Sequence, residues 1–508
     1  KYELNNINIG SASSFMKSKS QLIESNFTRS YNTISLNNKE NWTKINLDYE
    51  DNSKRNIISD SLNLNSHKHK SYGAISGFGE MENVFVEIGY NHIINDSVVD
   101  GIIQKVNTSN NFSVNTQLIN DTNTRLSIYG NYRILNKTND VRKEKFLNSR
   151  INYFKKSSND IIKINILYET NSGNLAQQEY TFIEVEPGVG NYKWIDINEN
   201  NIQELEEFEI AQFEDEGIYL RVLLPNQKFI KTYQNKFSQS LNINFKKWAK
   251  DKLKFKKILS HFQNQTQYLI QKQSAQENNQ FDLNPFKISS KNLLGLTMNL
   301  RNSLFFNKGK QYYSTTYNFT NNRSKNSLSF GNIENDLLSH QLTFKHKLNS
   351  ILFSSTVTFE NKKSKSENFE SKNYTFNEVK YGPKLSYFIQ DNNKIDIYYQ
   401  YSNKENLISN FETLTQNKFG ISSAFSNKNK LAINGELNYY KNKFKGNSNS
   451  IIGYIMMEGL QSGNNLTWAL NIQKKVTKNV DLNLNYFARK SDNNSVIHNG
   501  SIQLKANF

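Results

Sequence analysis

The chain has 508 residues, 36% hydrophobic and 13% aromatic, with a formal net charge of +17 and a mean hydropathy of −0.72. The absence of cysteine excludes disulfide staples and thiolate metal sites, and no apolar run reaches the ~18–20 residues of a membrane helix. With 33 Phe, 27 Tyr and much Ile, the composition is not that of a disordered chain, which is poor in such residues.

Read in chain order, the sequence alternates. Val84, Val86, Ile88 and Tyr90 share a face, as do Phe112, Val114, Thr116 and Leu118. The turn Asp121-Thr122-Asn123 leads into Leu126, Ile128, Gly130, Tyr132 and Ile134. Ile162, Ile164, Ile166 and Tyr168 continue the pattern. These are strand-turn-strand units with the spacing of a meander.

Residues 181–226 break it. Eleven acids stand there against Lys193 and Arg221, a local charge of −9 that leaves +26 for the rest of the chain. The sequence predicts one acidic inserted element between a first run of strands, 1–180, and a second, 227–508. A loop, a plug or a lid would each fit.

The second run is clearer. Leu338, His340, Leu342, Phe344, His346 and Leu348 turn into Ile351, Phe353, Ser355, Val357 and Phe359. Tyr381, Pro383, Leu385, Tyr387 and Ile389 lead to Ile395, Ile397, Tyr399 and Tyr401. Leu431, Ile433, Gly435, Leu437 and Tyr439 follow, then Leu466, Trp468, Leu470 and Ile472, then Val480, Leu482, Leu484, Tyr486 and Ala488. The apolar face persists over the ~9–11 residues of a spanning strand, with aromatics at strand ends, as in barrel girdles. Only 4 Pro occur, as expected where most of the backbone donates to sheet ladders. A soluble solenoid would need a fixed repeat, and none is present. The expected fold is therefore all-β: a large antiparallel transmembrane β-barrel of roughly 22–28 strands, wide enough to need filling.

Within the acidic segment, Asp196, Asn198, Asn200, Glu204 and Glu207 fall at positions 1, 3, 5, 9 and 12 of a calcium-loop spacing. Asn201 replaces the usual glycine and Ile202 sits one place early. Ca2+ is the one candidate cofactor. The other reading is a polar turn with solvated acids, and an acidic insert in a basic host would also suit folding back into a basic lumen or against a basic partner.

The last strand, Ile502, Leu504, Ala506 and Phe508 on one face, resembles the closing strand that outer-membrane barrels of Gram-negative bacteria present to the β-barrel assembly machinery, with Phe508 as the assembly signal. Gly188-Val189-Gly190-Asn191-Tyr192-Lys193-Trp194, the Asp196…Glu207 segment, Gly459-Leu460-Gln461-Ser462-Gly463, Trp468, Tyr486, Arg489-Lys490 and His498 resemble a family of large, uncharacterised outer-membrane β-barrel proteins of Bacteroidota. The resemblance implies a Gram-negative outer-membrane location. It implies as partners lipid and lipopolysaccharide, the assembly machinery, and other envelope proteins or lipoproteins. Its members are longer, and Lys1 in place of Met suggests a mature or trimmed chain. The +17 charge reads as lysine-rich loops or as affinity for anionic lipid or polysaccharide. Nucleic acid is not expected, because the basic residues form no compact motif.

Chemistry is sparse. His67 and His69 share a face but lack a third metal ligand. His340 reads as an interfacial aromatic. His498-Asn499-Gly500-Ser501 falls where a last-hairpin turn is expected, and no paired carboxylates stand out on a strand face. No catalytic residue is assigned, and a barrel hydrolase is the minor reading. The first functional expectation is a structural or translocation-associated subunit of a larger envelope complex. The alternative is a passive or gated outer-membrane pore or transporter. A TonB-dependent transporter is less expected, because neither a TonB-box-like start nor a plug pattern is evident.

Overall fold

The structure is a computed structural model. It describes residues 2–506 apart from positions 5, 39, 139, 141, 158, 177–178, 197, 225–228, 277–279, 289–291, 311, 329–330, 391–392, 409–410, 428–429, 478 and 493. Phe508, the expected assembly signal, lies outside the described residues.

The fold is all-β, a large antiparallel transmembrane β-barrel. Among the described residues its sheet has 23 strands, one of them the three-residue Tyr2–Leu4. Two compact units divide the chain. The first comprises Lys1–Leu175, Ile230–Leu241 and Leu269–Leu293, and the second Ala176–Phe229, Asn242–Tyr268 and Leu294–Phe508.

In the first unit, the strands from Ile7–Lys19 through Glu144–Lys156 pair antiparallel with their sequence neighbours. In the second, the same holds from Tyr313–Leu328 through Ile497–Ala506. The period-two pattern explains this. In an uninterrupted ladder each strand shows alternate side chains to each face.

The sidedness is the reverse of a water-soluble protein. In the second unit Ile397 is 58% exposed and Phe419 54%, whereas on the other face Asp396 is 3% and Lys404 5% exposed. Water would penalise the first face, and hydrocarbon suits it. The inner face is an ion-pair lattice. Lys362 lies 2.9 Å from Glu360 and 3.3 Å from Glu378, and Lys384 and Lys394 lie 2.8 and 2.9 Å from Asp396. Glu360 and Glu378 stand opposite each other in register. They are paired carboxylates on one strand face, contrary to the sequence reading, and lysines compensate them.

Two further differences matter. His498 belongs to the strand Ile497–Ala506, not to a turn, and its Nδ1 lies 2.8 Å from the Tyr486 hydroxyl. The apolar run 451–457 is a helix, Ile451–Met457, in a connection between strands. The Ser450 side chain accepts from the Gly453 N–H, and Glu458 ends the helix in the left-handed conformation at φ 57. Met456 and Met457 pack with Ile452, Phe376 and Leu414 in a small core.

The acidic segment forms a sheet of its own within the second unit. Glu179–Glu184 pairs with Tyr219–Leu224, and Tyr192–Trp194 pairs with Phe208–Ile210 and, at Tyr192, with Tyr219. Phe208 stacks on Phe182 at 4.1 Å and meets Tyr219 edge-on at 5.0 Å, a core of packed rings. Gly190 is required here, since a Cβ would come within 2.6 Å of the Tyr219 backbone.

Candidate functional site

The site is where the acidic sheet meets the polar face of the wall, within the second unit. On the strand Val480–Ser491, Leu484, Tyr486 and Ala488 belong to the outward row, so Phe487 and Arg489 face the polar side. Arg489 donates to both oxygens of Asp215, at 2.6 and 2.8 Å, and to Glu216 at 3.2 Å. Its guanidinium also covers the Phe213 ring at 4.1 Å, and Phe213 stacks on Phe487 at 5.5 Å. A planar, forked cation suits a bidentate carboxylate and an aromatic face at once.

Two neighbours complete the clasp. Tyr454, on the buried helix, donates to Glu216 at 2.7 Å and accepts from the Gln212 N–H at 2.9 Å. Burial and the Glu216 carboxylate push its phenol above the usual tyrosine range, so it remains a donor. Lys193 reaches Glu216 at 3.0 Å. Farther along, Lys372 pairs with Glu209 at 2.9 Å and donates to the Phe208 carbonyl at 2.7 Å.

A cleft of about 630 Å³ opens beside this clasp, lined among others by Lys193, Trp194, Asp196, Glu216, Tyr454 and Arg489. Its charges are largely paired with one another, so it offers a polar rather than a strongly charged environment. Its volume is that of a small-molecule pocket.

The calcium-spaced residues lie at one edge of the acidic sheet. Asp196 accepts the N–H groups of Asn200 and Asn201, at 3.2 and 2.9 Å, Asn198 accepts that of Asn200 at 3.0 Å, and Asn200 that of Ile202 at 2.7 Å. Glu204 accepts from the Asn198 amide at 3.0 Å. Glu207 is 1% exposed and accepts from the Trp194 indole at 2.7 Å. The turn thus gathers Asp196, Asn198 and Asn200 around its own backbone, while Glu207 is committed elsewhere. Among the described residues no three His, Asp or Glu side chains converge as a metal site.

The histidines are dispersed. His67 meets Glu50 at 3.2 Å, His69 meets Asn95 at 2.8 Å, and His340 meets the Tyr317 hydroxyl at 2.8 Å. What the sequence reading missed is the Arg489–Asp215–Glu216–Tyr454 cluster. An arginine on the polar side of an otherwise apolar-faced strand was the available signal, but its partners lie 273 and 274 residues away.

The exposed apolar rows and buried ion pairs described above decide the environment, because closed antiparallel walls of this kind span outer membranes. The chain is an outer-membrane β-barrel protein. No family model matches the sequence, and no curated protein matches it, so the resemblance to the Bacteroidota family gains no support there. Similar solved structures include the open form of the ferric-catecholate import receptor Fiu from E. coli K12, at 10% identity and TM-score 0.32, covering 96% of this chain and 77% of that one. The FrpB iron transporter from Neisseria meningitidis is similar at 8% identity and TM-score 0.35, covering 95% and 76%. The siderophore receptor PirA from Pseudomonas aeruginosa is similar at 8% and 0.34, covering 96% and 78%. Likeness at this level fixes no substrate.

Proposed function

We propose that the protein is a gated outer-membrane passage for polar solutes, with the acidic sheet of residues 179–224 as its gate. The observation that carries this reading is the Arg489 clasp, which holds the acidic sheet on the polar face of the chain's own wall. A subunit built to recruit other envelope proteins would be expected to turn its distinctive insert outward. Hence the gated-passage reading is preferred to the structural-subunit one.

The lengths of the connections support one position for the gate. From the strand Gly331–Leu348 onward, those on the Arg489 side are 367–373, 407–412, 446–462 and 492–496. On the other side they are shorter and link Gly331–Leu348 to Ile351–Ser366, Tyr374–Gln390 to Asn393–Asn406, Thr413–Asn427 to Leu431–Lys445 and Gly463–Lys475 to Val480–Ser491. Outer-membrane barrels carry short periplasmic turns and longer external loops, which supports a gate at the external mouth. The test is conductance of the purified protein in planar bilayers, with and without residues 181–224. A larger steady conductance on deletion is expected. Absence of conductance from both forms would refute the passage itself.

A further inference from the structure

The strand Leu431–Lys445 changes character along its outward row. Leu431, Ile433, Gly435, Leu437 and Tyr439 are followed on the same face by Lys441, Lys443 and Lys445, all three exposed. Their neighbours in register are Thr413, Thr415 and Asn417 on one side and, for Lys441, Asn464 on the other. No carboxylate of the described residues lies opposite them. Lys490 adds a fourth charge, because it pairs with Leu466, which itself faces Tyr439. Lys363 and Lys365 also point outward, but Asp336 and Glu334 stand opposite them and answer their charge.

Height decides what this row meets. The eight steps from Leu431 to Tyr439, at about 3.4 Å each on a strand tilted by about 40°, cover roughly 21 Å. That nearly fills an apolar band of about 25 Å. Lys441 therefore begins at the membrane boundary, and Lys445 stands about 10 Å above it. At the opposite end, the outward rows of the strands from 331 to 506 carry Lys474 alone among the described residues. The asymmetry is not explained by solubility, which would serve both ends alike.

We propose that Lys441, Lys443, Lys445 and Lys490 bind the phosphate groups of lipopolysaccharide in the outer leaflet. The row stands on the side of the long connections, its alkyl stems cross the girdle level, and its ammonium groups emerge at headgroup depth. Flexible point charges on successive outward positions suit phosphates distributed along a lipid boundary rather than one enclosed anion. This inference does not depend on the gate.

The experiment uses the full chain in mild detergent, with purified bisphosphorylated lipopolysaccharide as the probe and native mass spectrometry as the readout. K441Q, K443Q and K445Q combined should weaken retention by about 10- to 100-fold at low salt, while K474Q leaves it unchanged. Heat-modifiable migration confirms that each variant has folded. Equal retention by the triple variant, or equal retention of dephosphorylated lipopolysaccharide, would overturn the assignment. Equal retention of phosphatidylglycerol would overturn its specificity for lipopolysaccharide.

Discussion

Replacing Arg489 with glutamine tests the gate most directly. The side chain of Arg489 is 9% exposed, and those of Asp215 and Glu216 are 21% and 11% exposed. Breaking a buried pair costs about 3–5 kcal/mol, because the remaining charge is left uncompensated. Some exposure of Asp215, and the Lys193 and Tyr454 contacts that Glu216 keeps, reduce this to about 2–4 kcal/mol. At about 1.4 kcal/mol per decade, the docked-to-released ratio of the acidic sheet should fall by roughly 30- to 1,000-fold. Single-channel recording should show more frequent or longer open events, and hydrogen exchange over 179–224 should accelerate while the wall strands keep their protection. Adding Asp215→Asn to Arg489→Gln removes the stranded charge and should restore part of the loss, the signature of direct coupling. Unchanged gating together with unchanged exchange over 179–224 would refute the reasoning.

Ile421 points outward, 45% exposed, and the adjacent Ser422 points inward. Ile421→Arg should cost about 2–4 kcal/mol of barrel stability in liposomes and Ser422→Arg much less, as read by urea unfolding; equal costs would contradict the assigned faces. Lys404 donates to the Met456 carbonyl at 2.9 Å and lies 3.6 Å from both Glu378 and Glu458. Lys404→Met should therefore loosen the helix Ile451–Met457 by about 1–3 kcal/mol, seen as faster proteolysis within 446–462. Calcium at Asp196–Glu207 would require Glu207 to release Trp194, so millimolar Ca2+ should leave tryptophan emission unchanged. A shift abolished by Asp196→Ala would instead establish the site.

The barrel was legible because its strands obey one rule. Where every second residue is apolar, as from Leu431 to Tyr439, neither the partner strand nor the far side of the molecule is needed to read the element. The helix Ile451–Met457 was illegible for the converse reason. Seven apolar residues show no period, and only Ser450 before them and Glu458-Gly459 after them mark helix ends. The Glu360–Glu378 pair was hidden by register. Eighteen positions apart, the two become neighbours only once the turn between their strands is placed. The same limit applies more severely to Arg489, whose inward direction follows from alternation but whose partners follow from how the insert folds.

The difference between wall and gate is one of cooperativity. The long strands of the second unit are held by extended ladders; Gly331–Leu348 alone has sixteen register partners on each side. Within the apolar band, no residue of such a strand can leave without exposing neighbouring backbone groups to hydrocarbon, where each costs several kcal/mol. The acidic sheet carries its own backbone pairs and its own aromatic core, so releasing it breaks none of the wall's ladders. What opposes release is a short set of side-chain contacts: the Arg489 fork, the Phe213–Phe487 stack, Tyr454 on Glu216 and Lys372 on Glu209. These are ionic or aromatic and reach water once parted, which lowers the cost of parting them. An element that is internally complete and externally held by a few polar contacts is the one expected to move while the rest stays fixed. The charge difference of −9 in the insert against +26 elsewhere then favours redocking, since the same attraction that closes the clasp draws the released sheet back to it.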